Sequence, residues 1–224
     1  MTKKPLDLNE WAYDTIKKMI LDNSITAGSQ INIDEMTESL QISRTPIREA
    51  LIRLRQNGLV EARSRVGFFV TTITHAEFKD LFEVRRMLEC YAAGRCVALM
   101  SDERISELAY HCEKGALAVG KGEISEFNKH EVCFHDLIVM SLDNARINEI
   151  RSSLEDQMSR TRMYSSKSNE NLRLSVEEHA SIMRAIKRRD SKSAEAAMNV
   201  HLNNVEDRLS RFLFNSSGGA SSPI

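Results

Sequence analysis

The stretch that decides the fold of the N-terminal part is QISRTPIREALIRLRQN, residues 41–57. Ser43 or Thr45 can cap a helix with a side-chain oxygen, and Pro46 then falls in the first turn, where its missing N–H breaks no intrahelical bond. The apolar residues recur with the period of a single helix face, namely Ile47, Ala50, Leu51 and Leu54. The stretch therefore predicts a sharply started amphipathic helix.

The opposite face of this helix carries polar and basic side chains. A helix that buries one side and offers arginine and threonine from its first turns suits the major groove of DNA, where arginine can bind a guanine edge or a phosphate. We expect Ser43, Arg44, Thr45 and Arg48 to contact DNA, because residues near the start of a recognition helix reach the bases best. For Arg53 and Arg55, a surface role is an equally good explanation.

The flanking residues predict a winged helix-turn-helix. Residues 11–22 have helical periodicity, and residues 32–40 follow with a cap and a glutamate three residues later. After Gly58, residues 59–62 and 67–71 read as two short strands around a tip that contains Arg65. Gly67 would allow the backbone of this wing to approach a phosphate or the minor groove.

Length and charge indicate two domains and a local DNA-binding surface. A chain of 224 residues fits roughly two domains of ~100–200 residues each. The formal net charge of −1 gives no general attraction to nucleic acid. Residues 41–70, however, contain six arginines against two glutamates, so the positive charge is concentrated on the predicted module.

Composition predicts the fold class and the compartment. Nine glycines, three prolines and long segments of 3.6-residue periodicity indicate a mainly α protein. The four cysteines form no CxxC pair, which is typical of reduced thiols and predicts a cytoplasmic protein. The sequence has neither an apolar leader nor a long uncharged run, so we expect no membrane partner.

A second capping pattern at Thr74–Glu77 marks the domain boundary. We predict a DNA-binding domain over residues 1–73 with three helices and a β-hairpin, and an all-α helical-bundle effector domain over residues 74–215. Residues 216–224 have little apolar content and predict a disordered tail. Within the bundle, the predicted helices begin near residues 74, 101, 125, 143, 175 and 191, with a polar loop at 165–171.

Four side chains of the predicted bundle are candidate metal ligands. Glu131 and His135 are spaced i, i+4 and share a helix face. His179 and His201 flank the turn at 189–190 at ~15–17 Å from the bend, taking 1.5 Å of rise per residue, so they should stand at the same height. Three imidazoles and one carboxylate suit Zn, Ni, Mn or Fe with positions left for water or a small acid. His130 and Asp136 are neighbouring candidates, but helical rotation points them away.

The N-terminal third resembles the winged helix-turn-helix of the GntR family of bacterial transcriptional regulators. The resemblance lies in Ser43 to Leu51 (SRTPIREAL), Arg53-Leu54, Gly58-Leu59-Val60 and Gly67-Phe68-Phe69-Val70. It implies a homodimer on a palindromic double-stranded DNA operator. It also implies that Arg44, Thr45 and Arg48 lie at bases or phosphates and that Gly67 lies in the wing.

The rest of the chain resembles the FCD effector domain of FadR-like GntR regulators, through Phe134-His135, Glu178 to Ile186 (EHASIMRAI), Asp190, Ala194 to Met198 and His201-Leu202. Many similar domains hold a metal with one Asp and three His, and an organic acid completes the coordination. Here Glu131 takes the Asp position, with a side chain one methylene longer. Arg85 matches a carboxylate-binding arginine of such regulators, while a surface ion pair with Glu89 explains it equally well.

We therefore predict a DNA-binding transcriptional regulator, a repressor, whose operator affinity responds to a small carboxylate metabolite at a divalent-metal site. One alternative is a metal-dependent enzyme that uses the His/Glu cluster, although no nucleophile, general base or oxyanion donor stands out. The other is a regulator that binds its ligand without metal. Metal analysis and turnover assays on organic acids distinguish these possibilities.

Overall fold

A computed structural model describes residues 7–165 and 168–215. These residues divide into two compact units, with the main division between Thr74 and His75. The first unit also includes Asp156–Arg160, a short piece of a later helix, so the units are not two uninterrupted segments of chain. The predicted tail at 216–224 lies outside the described residues.

The first unit contains three helices and a small antiparallel sheet. The helices are α1 (Leu8–Leu21), α2 (Ile33–Leu40) and α3 (Arg44–Gln56). The strands are β1 (Gln30–Ile31), β2 (Val60–Arg63) and β3 (Gly67–Val70), in the order β1-β3-β2. The hairpin of β2 and β3 is the predicted wing, and β1 is a third strand that the sequence analysis did not identify.

The core of the first unit is formed by the inner faces of its three helices and by the sheet. Pro46 lies in the first turn of α3, as its missing N–H favours. All four residues of the predicted inner face of α3 are buried, namely Ile47, Ala50, Leu51 and Leu54. They share one core with Ala12 and Ile16 of α1, Ile31 and Val70 of the sheet, and Leu59. The amphipathic pattern thus fixes which side of α3 faces outward.

The second unit is a helical bundle. Its helices are α4 (His75–Leu99), α5 (Asp102–Lys121), α6 (Ile124–Met140), α7 (Ala145–Ser165), α8 (Asn169–Lys187) and α9 (Ser191–Ser210), and a π-helical segment, Arg211–Asn215, follows α9. Its main core draws on α4, α5, α6, α8 and α9. The predicted fold class, mainly α with a winged helix-turn-helix and a helical bundle, is confirmed.

Two predicted helix starts are wrong. Helix α1 begins at Leu8 because Asp7, before the predicted region, accepts hydrogen bonds from the N–H groups of Asn9 and Glu10. Helix α8 begins at Asn169, inside the predicted polar loop, because Ser168 caps it. Polar residues are tolerated in that first turn, and Leu172 is already buried.

Candidate functional site

The outward face of α3 is open to solvent at its N-terminal end. Ser43 occupies the N-cap position without a side-chain capping bond among the described residues, and its side chain is exposed. Thr45 and Arg48 are exposed on the next turn. Arg44 forms an ion pair with Asp34 of α2 at 2.7 Å, and both side chains remain mostly exposed. Such a pair is weak in water, so Arg44 can exchange this partner for a phosphate or a base.

Arg53 has a different environment on the same helix. Its guanidinium lies 2.7 Å from Glu10 and 4.1 Å from the centre of the Tyr13 ring, both on α1. An ion pair combined with a cation–π contact ties this side chain to the fold. Of the two explanations left open for Arg53, the geometry favours the surface role.

The wing presents Arg65 at its tip. Val66 N–H donates to the carbonyl of Arg63 and closes the turn, and Arg65 lies in it with a φ of +62°. Gly67 has a φ of +133°, and a Cβ there would lie 3.1 Å from Gln30 Nε2. The backbone conformation at this position favours glycine, and the side chain of Gln30 would have to shift slightly to admit a Cβ.

Three histidines meet inside the second unit. His135 of α6, His179 of α8 and His201 of α9 are buried, and each offers a ring nitrogen within 4.8 Å of the others. The Nε2 atoms of His135 and His179 are 3.2 Å apart. Among residues 7–165 and 168–215, this is the group of His, Cys, Asp and Glu side chains with spacing suited to a metal ion.

Two glutamates hold the outer nitrogens of this histidine cluster. His135 Nδ1 lies 2.7 Å from Glu89 Oε2, and His201 Nδ1 lies 2.8 Å from Glu178 Oε2. An ionised carboxylate can only accept, so the hydrogen bond with Glu178 favours the proton of a neutral His201 on Nδ1. The charge of Glu89 favours the same tautomer of His135, and in both rings Nε2 then keeps its lone pair. A carboxylate behind a histidine in this way orients a metal ligand and increases its basicity.

The electrostatics keep the imidazoles neutral and the carboxylates charged. Burial lowers the pKa of His135 and His201, and burial together with the two neighbouring imidazoles lowers the pKa of His179 strongly. Burial alone would raise the pKa of Glu178, but hydrogen bonds from His201 and Arg208 outweigh it and lower that pKa to about 2. The positive charge of Arg85 likewise outweighs burial and holds the pKa of Glu89 well below its usual range.

The donor set fits a borderline divalent ion. Ligand nitrogens at about 2.1 Å from a common ion stand roughly 3.0–3.4 Å apart for angles between 90° and the tetrahedral value. The 3.2 Å between the Nε2 atoms of His135 and His179 lies in this range. Neutral imidazoles with free lone pairs are ligands for zinc, nickel, copper and iron.

The predicted fourth ligand, Glu131, lies near the histidine cluster but is not part of it. Its side chain is half-buried, and its carboxylate falls outside the set of ligand atoms that lie within 4.8 Å of one another. Burial raises its pKa, against the opposing charges of Arg162 and Arg85. The structure therefore brings together three of the four predicted ligands, and Glu131 as a ligand stays a prediction.

Arg85 is buried against the same site. Its Nε donates to Glu89 Oε1 at 2.9 Å, and its guanidinium lies 5.1 Å from the centre of the Phe82 ring. The i, i+4 pair with Glu89 exists, but it is inside the bundle rather than on its surface. Glu89 engages the Nε–H of Arg85, so an anionic ligand would bind the other N–H groups of the guanidinium or compete with Glu89.

The two neighbouring candidates do point elsewhere. His130 Nδ1 lies 2.9 Å from His111 Nδ1 of α5, and Asp136 pairs with Arg151 of α7 at 2.7 Å. Neither belongs to the group of potential metal ligands formed by His135, His179 and His201. Helical rotation on α6 explains both positions.

The sequence analysis did not assign Glu89 or Glu178 to the site. Glu178 had a usable signal, since the height argument that sets His179 opposite His201 across the bend applies to Glu178 as well. For Glu89 there was none, because no hairpin connects α4 to α6 and the sequence does not say that these helices pack together.

Comparison with known families gives the context of both sites. The family model described as "Bacterial regulatory proteins, gntR family" matches residues 8–70, and the FCD domain model matches residues 80–204. The chain belongs to the GntR family and carries an FCD domain. The resemblance that the sequence analysis drew from residues 43–70 and from the histidine helices is confirmed.

Several characterised GntR proteins align along most of the chain. The HTH-type transcriptional repressor RspR of Escherichia coli K12 is 24% identical over 202 residues, covering 90% of this chain and 89% of RspR. The gluconate operon transcriptional repressor of Bacillus subtilis is 22% identical over 203 residues, covering 88% of this chain and 83% of that repressor. The solved structure of E. coli McbR/YncC superposes with a TM-score of 0.76 at 20% sequence identity, covering 93% of this chain and 99% of McbR/YncC.

Membership of the GntR family establishes the coarse function. The protein is a transcriptional regulator of a DNA-binding family with an FCD domain, and the prediction that it is not an enzyme is confirmed. Within the described residues, no helix has both the length and the apolar character that crossing a bilayer would require.

Proposed function

We propose that this GntR protein is a homodimeric repressor that binds a palindromic operator and changes its DNA affinity when a small carboxylate binds at a divalent-metal site in the FCD domain. The supporting observation is the buried cluster of His135, His179 and His201, each of which has a ring nitrogen within 4.8 Å of the others, while Glu89 and Glu178 lie against Nδ1 of His135 and His201. A neutral, oriented set of donors of this kind is prepared for a cation.

The FCD domain's own residues define what the bound ion would present to a ligand. His135, His179 and His201 would hold it and, when bound, it would supply Lewis acidity toward carboxylate oxygens. Arg85 would offer a second positive group, and Glu131 would either complete the ligand set or yield its place to the acid. One relative is a repressor of an operon named for gluconate, itself a carboxylate, which agrees with this ligand class.

Coupling to DNA requires that the ligand favour one arrangement of the dimer. The two recognition helices of a GntR dimer must match half-sites about 34–36 Å apart, or multiples of that distance. A ligand that binds the matching and non-matching arrangements with different affinities changes the affinity for the operator. By linkage, the operator changes the affinity for that ligand by the same factor. A thermal-shift screen of carboxylates with and without added divalent ions identifies candidate ligands, because binding to the folded form raises its apparent stability.

The test is an operator titration at fixed salt. An operator is first isolated by in vitro selection from random duplexes, and its affinity is measured for zinc-loaded wild type and for His179→Ala with and without the carboxylate from the screen. We expect the carboxylate to change wild-type affinity at least tenfold and to leave His179→Ala unaffected. An equal response of both proteins would refute the metal site and favour the metal-free alternative. Absence of any selected operator would refute the DNA-binding role.

A further inference from the structure

A second pair of imidazoles lies outside the histidine cluster, where α5 packs on α6. His111 Nδ1 and His130 Nδ1 are 2.9 Å apart, and the ring centroids are 5.1 Å apart. Both side chains are half-buried, and Tyr110 packs edge-on against both rings. Neither the GntR assignment nor the proposed carboxylate response uses these residues.

The outer nitrogen of His130 faces a carboxylate, as the outer nitrogens of His135 and His201 do. Glu126 precedes His130 by one helical turn, and its Oε1 lies 3.6 Å from His130 Nε2. Its negative charge favours the proton on Nε2, which leaves the lone pair of Nδ1 directed at His111. The two Nδ1 atoms lie within hydrogen-bonding distance of each other, and a bound ion would take the place of that hydrogen bond.

The spacing suits a chelated ion with a right angle at the metal. If each Nδ1 stood at about 2.1 Å from a common ion, a separation of 2.9 Å would subtend roughly 90°. Right angles between neighbouring nitrogens belong to tetragonal and octahedral coordination, which nickel(II) and copper(II) prefer. The buried cluster has the wider spacing of 3.2 Å, so the two sites differ in the geometry they offer.

We propose that His111 and His130 form a second, solvent-accessible site for a divalent transition ion of the nickel or copper type, with water in the remaining positions. The site is separate from the cluster of His135, His179 and His201. Its test therefore does not depend on whether the proposed function is correct.

The test is the number of nickel ions bound per chain, measured by equilibrium dialysis of chelator-treated, tag-free protein. Four proteins are compared: wild type, His111→Ala, His130→Gln and His75→Ala. His75 is the matched control, because it is an exposed histidine at the start of α4, outside both groups. We expect His111→Ala and His130→Gln each to bind one nickel ion fewer per chain than wild type. His75→Ala should bind the same number as wild type.

The comparison does not depend on the buried cluster, since the expected result is a loss of one ion whatever number that cluster binds. Thermal unfolding of each variant monitors folding, and His130→Gln keeps a polar side chain of similar size where alanine would leave a gap. If both pair variants bind as much nickel as wild type, the proposal is overturned. It is equally overturned if His75→Ala loses an ion as they do.

Discussion

Arg48 and Arg53 lie five residues apart on one helix and have opposite surroundings. Arg48 is exposed on the face that the N-terminal turns of α3 present to solvent. Arg53 is bound to Glu10 and to the face of Tyr13. Residue type and spacing alone could not separate the two roles, because the partner on α1 comes from 43 positions away in the sequence.

We expect Arg48→Ala to weaken binding of the selected operator by about 1–3 kcal/mol, roughly fivefold to 160-fold, because a base or phosphate contact is lost. Its unfolding transition should not move. Arg53→Ala should instead keep operator affinity and lose about 0.5–1 kcal/mol of stability through the lost cation–π contact. Fluorescence-anisotropy titration and urea unfolding of both variants check this, and the reverse pattern would contradict it.

The histidine cluster illustrates how far residue-level prediction reaches. Equal heights on a helical hairpin correctly placed His179 beside His201, because the bend between α8 and α9 fixes their register. The packing of α4 against α6 is a tertiary event with no counterpart in local periodicity. For that reason Glu89, which faces His135 at 2.7 Å, was recognised only as a partner of Arg85.

At the scale of elements, the capping pattern at Asn32 correctly marked the start of α2, whereas the caps at Asp7 and Ser168 were not predicted. Asn32 accepts hydrogen bonds from Asp34 N–H and Glu35 N–H, and its amide donates to Glu35 Oε1 at 2.8 Å. Strand β1 was missed because two residues, Gln30 and Ile31, carry no periodicity. It exists only through pairing with β3, which lies more than 35 positions later in the sequence.

Helix α2 provides the element-scale prediction. Replacing Asn32 by Ala removes the acceptor for two backbone N–H groups, so we expect the free energy of unfolding to fall by about 1 kcal/mol. Asn32→Ser is the matched control, since serine also caps well, and it should stay close to wild type. Guanidinium unfolding monitored by circular dichroism measures both. Equal stability of the alanine and serine variants would show that this cap does not stabilise α2.

At the scale of the whole molecule, charge is distributed unevenly. The net charge is −1, while residues 41–70 carry six of the arginines and only two glutamates. DNA affinity should therefore depend on contacts of this short segment rather than on a field around the protein. Composition and local charge were sufficient for this expectation, whereas the inclusion of Asp156–Arg160 in the first unit could not be inferred from a linear boundary.

We expect the salt dependence of operator binding to identify that segment. Each phosphate contact contributes a slope of about −0.9 to a plot of log affinity against log salt, so Arg65→Ala should make the slope shallower by about one per wing in contact. Lys121→Ala is the control, because Lys121 is an exposed cation at the end of α5 in the other unit. Identical slopes for the two variants would exclude a phosphate contact by the wing.

The backbone of the wing limits how its reach can be redesigned. Gly67 has a φ of +133°, which side chains other than hydrogen rarely adopt, and a Cβ there would lie 3.1 Å from Gln30 Nε2, which donates to the carbonyl of Val66. A designer who wishes to alter base preference through this hairpin would therefore vary Ser64, Arg65 and Val66, which are exposed. An exchange at Gly67 would instead strain the backbone of the hairpin, because of its positive φ.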